Sequence, residues 1–223
     1  MTKLQAQLNR LYAADLSAPT SNLVRSMVLQ LRQPASWHET AKIWQGVQQD
    51  LRLPAPAIAV SGTDAYQLWF SFAEGLSTTQ AASFIQALQQ RYAPTVAQEL
   101  ITWQPWHPDT PLPPFEVQAE QWSAFVAPDL APVFADTPWL DIPPNEDGQA
   151  ELLSRLDSTP IRDLNQAWQL LNPPSGGHAP TAPSEAQSVQ GLAPKQFLLR
   201  VMNNESLAMA LRIEAAKALL PYC

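Results

Sequence analysis

The sequence predicts an α+β domain over residues 1–171, followed by a linker (172–192) and a two-helix C-terminal module (193–223). Three observations predict it. A β-hairpin pattern occupies Pro54–Phe72, apolar stripes at helical spacing flank it, and apolar periodicity disappears after residue 171. At 223 residues and 46% hydrophobic content, the chain is long enough to bury a substantial core.

The chain opens with stripes that read as three helices. Leu4, Leu8, Leu11 and Tyr12 form the first, and it stops before Ser17-Ala18-Pro19. Leu23, Val24, Met27, Val28 and Leu31 form the second, with Ser21 as its N-cap and Pro34 ending it. The third carries Trp37, Ala41, Trp44, Val47 and Leu51, and Ser36 with Glu39 has the form of a capping box. His38 falls in the exposed first turn of that helix.

In the hairpin, Ile58 and Val60 alternate with Ala57 and Ala59. Ser61-Gly62-Thr63-Asp64 supplies turn residues, and Tyr66, Leu68, Phe70 and Phe72 then take every second position. One face of the second strand is therefore core. The other, with Gln67, Trp69 and Ser71, is polar enough to line a groove. Ser77-Thr78-Thr79-Gln80 is a second capping box, and it opens a helix whose face is Ala81, Phe84, Ile85, Leu88 and Tyr92.

A lone hairpin is marginal in water, so further strands are required. Glu99–Trp103, Phe115–Gln118 and Trp122–Val126 supply them and give a largely antiparallel sheet of four or five strands. Asp129–Phe134 reads as a short helix capped by Asp129. Helices over Glu146–Leu156 and Ile161–Leu171 complete the domain. Residues 172–192 are rich in Pro, Gly, Ser and Ala, the composition of a flexible linker, and His178 lies within it. Beyond, Phe197, Leu198, Val201 and Met202 form one helical stripe, and Leu207, Leu211, Ala215 and Leu219 form another. Two such helices are too short to bury a core alone, so this module is expected to bind a protein partner or self-associate.

The charge distribution and the reactive residues limit the chemistry. Thirteen Lys/Arg stand against twenty Asp/Glu, and the net charge is −7. Residues 56–192 hold three of those cations and fifteen of the anions, a poor match to the basic footprint that a phosphate backbone demands. Nucleic acid, if bound, belongs to the mildly basic ends. The single cysteine, Cys223, excludes an intramolecular disulfide and a thiolate cluster. His38, His107 and His178 stand far apart, and no cofactor or metal is expected. Asp129, Asp136 and Asp141 read as turn residues rather than ligands. Trp103, Trp106, Trp122 and Trp139, set among prolines, read as packing rather than as an exposed aromatic surface. No window is apolar enough to span a membrane and the first residues lack a secretory pattern, which predicts a cytoplasmic protein.

Two resemblances add function. The tail, with Val201-Met202-Asn203 and then Arg212, Ala215, Ala216, Lys217, Ala218, Pro221 and Tyr222, resembles the C-terminal segment of phage terminase small-subunit-like proteins. That likeness implies a DNA-packaging oligomer of mobile-element origin, and Asn204 departs from the acidic residue usual there. The hairpin, with Ser61-Gly62 and then Gln67-Leu68-Trp69, is similar to the hairpin of archaeo-eukaryotic primase-polymerases, in which a histidine contacts the nucleotide phosphates. The likeness assigns Ser61, Gln67 and Trp69 to a binding groove and implies a metal-dependent nucleotidyltransferase.

Gln67 replaces the histidine of that family and cannot carry its charge. Residues 1–53 hold only Asp15, Glu39 and Asp50, none at the spacing of a two-metal carboxylate pair. The expectation is a catalytically inactive relative: a non-enzymatic accessory or interaction protein with no catalytic residue.

Overall fold

The computed structural model describes residues 1–12, 23–34 and 37–172. They form an α+β domain in which a six-stranded antiparallel sheet is covered by helices on both faces. The linker and the two-helix module, and with them the terminase-like tail, lie outside these residues except for Asn172. Ser21 and Ser36, read as helix caps, also lie outside them.

Helix α1 (Lys3–Leu11) is followed by strand β1 (Leu23–Arg32), helix α2 (Trp37–Gln49) and the hairpin strands β2 (Ala57–Val60) and β3 (Ala65–Ser77). Helix α3 (Thr78–Tyr92), strands β4 (Ile101–Pro105), β5 (Phe115–Gln118) and β6 (Gln121–Phe125), and helices α4 (Glu146–Ser154) and α5 (Ile161–Leu171) complete the domain. The strand order is β4-β1-β3-β2-β6-β5.

The second predicted helix is a strand, and this correction raises the sheet from the expected four or five strands to six. Met27, Val28, Leu29 and Leu31 are all at most 1% exposed, because β1 runs through the sheet with helices above and below. A strand buried on both faces loses its two-residue alternation, and its apolar run then also satisfies helical spacing. Leu29, which the predicted helical stripe leaves out, pairs with Leu68 on one side and Trp103 on the other.

One face of the sheet carries Met27, Leu29, Leu31, Ile58, Leu68 and Phe70 and packs on α2, α3 and α5 through Ile43, Phe84, Ile85 and Leu164. The Phe70 and Phe84 rings meet edge to face at 6.0 Å. The α3 capping box forms as its residues predict: Ser77 Oγ accepts from Gln80 N at 3.2 Å, and Gln80 Oε1 accepts from Ser77 N at 3.0 Å. The opposite face carries Val28, Ala57, Ala59, Trp69 and Phe125, and it is closed by Leu4, Leu8 and Leu11 of α1 with Ala150 and Leu153 of α4.

Gly62 makes the hairpin turn possible. Its φ is +86°, and a Cβ there would overlap the Val117 side chain and stand 2.9 Å from Ser123 N. The short helix expected at Asp129–Phe134 is a 3₁₀ turn over Ala131–Phe134. It begins after Leu130 with no side-chain cap, so Asp129 does not serve as its cap.

Candidate functional site

Of the three residues proposed for a groove, the fold joins two and separates the third. Trp69 Nε1 donates to Gln67 Oε1 at 2.9 Å, and both side chains are buried beneath α1 and α4. Trp69 is flanked on the sheet by Val28 and Ala57, whose small side chains leave room for the indole. Tyr12 meets it at 5.5 Å and Phe125 at 6.4 Å, both near edge-on, while Tyr12 and Phe125 stack at 6.1 Å. The polar face of β3, expected to line a groove, is thus covered, because α1 and α4 supply the apolar side chains that roof it. Ser61 stays in its turn, where its Oγ accepts from Thr63 N at 3.1 Å and Ala65 N at 2.9 Å.

The aspartates and tryptophans are dispersed. Among the described residues, no three His, Cys, Asp or Glu side chains gather in a way that could hold a metal ion. Asp141 Oδ1 accepts from Trp139 Nε1 at 3.1 Å, and Asp136 lies near enough to Tyr66 to raise its pKa. Trp103 and Trp106 belong to the β4 side of the sheet and Trp122 to β6, near the opposite edge. All four tryptophans of the proline-rich stretch are half-buried. No helix among the described residues is long and apolar enough to cross a membrane.

Among the described residues, the titrating groups that depart from their ordinary range are tyrosines. Burial raises the Tyr12 phenol, with a smaller opposing effect from Arg10. Burial and then the charge of Asp136 push Tyr66 up to about 12, and its hydroxyl donates to Ala131 O at 2.7 Å. Burial followed by Asp50 pushes Tyr92 up to about 12 as well; its ring lies against Gly46, where a Cβ would overlap it. A pKa raised in the folded state means tighter proton binding there, so this stability is complete below the unfolded value near 10 and is lost as pH rises towards 12. The urea midpoint should therefore hold steady up to about pH 9 and fall steeply above about pH 10. Tyr66→Phe should make that fall shallower.

An open cleft among the described residues lies elsewhere, between α3 and strand β4. A cleft of about 320 Å³ is lined by Gln86, Gln89 and Gln90 of α3 and by Gln98, Ile101 and Trp103 among others, with no ionisable side chain in its wall. The three α3 glutamines fall at i, i+3 and i+4, one turn of one helical face, as close packing on the far side of Phe84 and Leu88 requires. Gln89 is buried and its Nε2 donates to Gln98 Oε1 at 3.3 Å, which ties α3 to the turn preceding β4. Gln86, Gln90 and Gln98 are exposed, so their amides present donors and acceptors to the cleft. Trp103 supplies a half-buried aromatic wall. The arrangement has no acid, base or nucleophile, and it is suited to hydrogen bonding with an uncharged partner. The sequence signal was the spacing Gln86, Gln89, Gln90, which is equally that of an ordinary solvated helix face.

A second hollow, of about 60 Å³, lies among Trp44, Pro56, Ile58, Phe125, Leu153 and Leu156 and is apolar. It is far below the size of ordinary ligand sites. Comparison with protein-family models and with curated proteins gives no match to this chain.

Proposed function

We propose that this chain is a non-enzymatic interaction protein whose binding surface is the cleft between α3 and β4. The observation that carries the reading is the lining: four glutamines and a tryptophan, without an ionisable group. Amides arrayed around an aromatic wall recognise neutral polar groups, and an ion entering such a wall loses hydration without gaining a counter-charge. The likeness of the hairpin to primase-polymerases enters this reading as ancestry, that of an inactive relative. The DNA-packaging alternative rests on the tail and not on this cleft.

The test is a pair of titrations followed by amide NMR spectra of the full chain. Uncharged, end-capped peptides should shift signals of Gln86–Gln90, Gln98 and Trp103. Gln90→Glu should weaken that binding about tenfold, by placing an unpaired charge in the wall. ATP with Mg²⁺ should leave the spectrum unchanged; shifts centred on Ser61 and Gln67 would instead establish the nucleotide-binding reading.

A further inference from the structure

The two edges of the sheet are treated differently by the sequence. Edge strands expose unpaired backbone groups, and natural sheets blunt them with charges, bulges or shortness. Strand β5, at one edge, has exposed Glu116, and its register with β6 shifts between Glu116 and Gln118. Strand β4, at the other edge, reads Ile-Thr-Trp-Gln-Pro and contains no charge. Its protection is its length of five residues and Pro105 at its end.

The register shows which backbone groups of β4 face outward. Gln33 N donates to Asp64 O, so odd-numbered residues of β1 bond to β3. Trp106 N donates to Ser26 O, so even-numbered residues of β1 bond to β4. Antiparallel bonds alternate along a strand, and Thr102 and Gln104 are therefore the residues of β4 that bond to β1. Ile101, Trp103 and Pro105 point their backbone groups away from the sheet. Ile101 N–H is already bonded to Gln98 O, and Pro105 has no N–H. The outward edge thus offers one donor, Trp103 N–H, and three acceptors, the carbonyls of Ile101, Trp103 and Pro105. Among the described residues no strand lies beyond it.

We infer that β4 takes up an additional strand from an extended, uncharged peptide segment of a partner protein. The inference deepens the reading of the cleft as the binding surface and rests on it. The added strand lies along β4, and its alternate side chains project into the cleft against Gln86 and Gln90. Three outward acceptors against one donor demand a segment rich in N–H groups, which excludes a proline-rich ligand. The neutral wall excludes a charged one. A second copy of this chain is disfavoured as the occupant, since each copy carries a net charge of −7.

The experiment is hydrogen exchange by NMR on the full chain, with an end-capped heptapeptide alternating valine and threonine as the probe. In the free protein the Trp103 amide should exchange rapidly while those of Thr102 and Gln104 are protected. Saturating peptide should slow Trp103 by about tenfold or more and leave the other two within about twofold. The same peptide N-methylated at every residue, which leaves neither edge an N–H to donate, should produce no slowing. Peptide-induced shifts on α3 with Trp103 exchange unchanged would overturn strand addition and leave the cleft reading standing. The absence of shifts on both α3 and β4 at millimolar peptide would overturn both. Slowing of Trp103 with protein concentration alone, together with a doubled mass by light scattering, would overturn the partner peptide in favour of a second copy. Shifts at Gln86 and Gln90 produced by a neutral tetrasaccharide and not by the peptide would overturn it in favour of a sugar.

Discussion

Replacing Trp69 with alanine is expected to destabilise the domain by about 3–5 kcal/mol, the range for deleting a buried large aromatic side chain. Trp69 is 3% exposed and sits at the centre of the face closed by α1 and α4, touching Tyr12 and Phe125. Its removal leaves a cavity bounded by β-strands that cannot collapse and leaves Gln67 Oε1 without its 2.9 Å donor. Urea denaturation measures the loss, and in a domain of this size it corresponds to a melting temperature lower by roughly 6–20 °C. Trp69→Phe should lose much less, because the ring contacts with Tyr12 and Phe125 survive. If Trp69 instead lay in an open binding groove, the alanine variant would keep its stability and lose a ligand.

The second large effect is expected at Gln149. This side chain is 6% exposed and behaves as a piece of a missing strand: its Oε1 accepts from Phe125 N and its Nε2 donates to Phe125 O, both at 2.8 Å. The register explains the need. Val126 N donates to Ile58 O on the β2 side, so the backbone groups of Phe125 face the β5 side, where the chain approaching Phe115 is Pro113-Pro114. Prolines have no N–H to donate. Gln149→Leu leaves a buried N–H and a buried C=O unpaired, at about 1–3 kcal/mol each, or about 2–6 kcal/mol together. Urea midpoints measure this loss as well. Gln149→Glu gives a sharper test. A buried carboxyl is pushed above its ordinary range, and when protonated it can donate to Phe125 O as the amide does. Its stability should therefore be present at low pH and lost as pH rises.

What could be read from the sequence was what is local. The hairpin was legible because Tyr66, Leu68, Phe70 and Phe72 alternate and the Ser61–Asp64 turn carries a glycine at positive φ. The start of α3 was legible because Ser77 and Gln80 satisfy each other within four residues. Helix α5 matched its predicted bounds because its stripe is amphipathic and flanked by Pro160 and Pro173.

Strand β1 was illegible because burial on both faces erases the two-residue period by which a strand is recognised. The fate of Gln67, Trp69 and Ser71 was illegible for a related reason. A polar position on one strand face is a groove or a roofed interior depending on whether α1 and α4, at opposite ends of the domain sequence, come to cover it. The cleft is illegible in the sequence because glutamine on a helix has no distinctive chemistry until an uncharged sheet edge is placed beside it.

The position of β1 inside the sheet also governs the order of assembly. Leu29 pairs with Leu68 and with Trp103, 39 and 74 residues further along the chain. Strands β2 and β3 find each other across a four-residue turn, whereas β1 must wait for β3 on one side and β4 on the other. Loops of that length close slowly, and sheets dominated by such distant pairings fold on the slow side. During synthesis the apolar run of β1, Met27 to Leu31, is therefore made before either partner exists and stays unpaired until β3 and β4 follow. Among the strands of this sheet, the earliest made is the one that waits longest for both its neighbours.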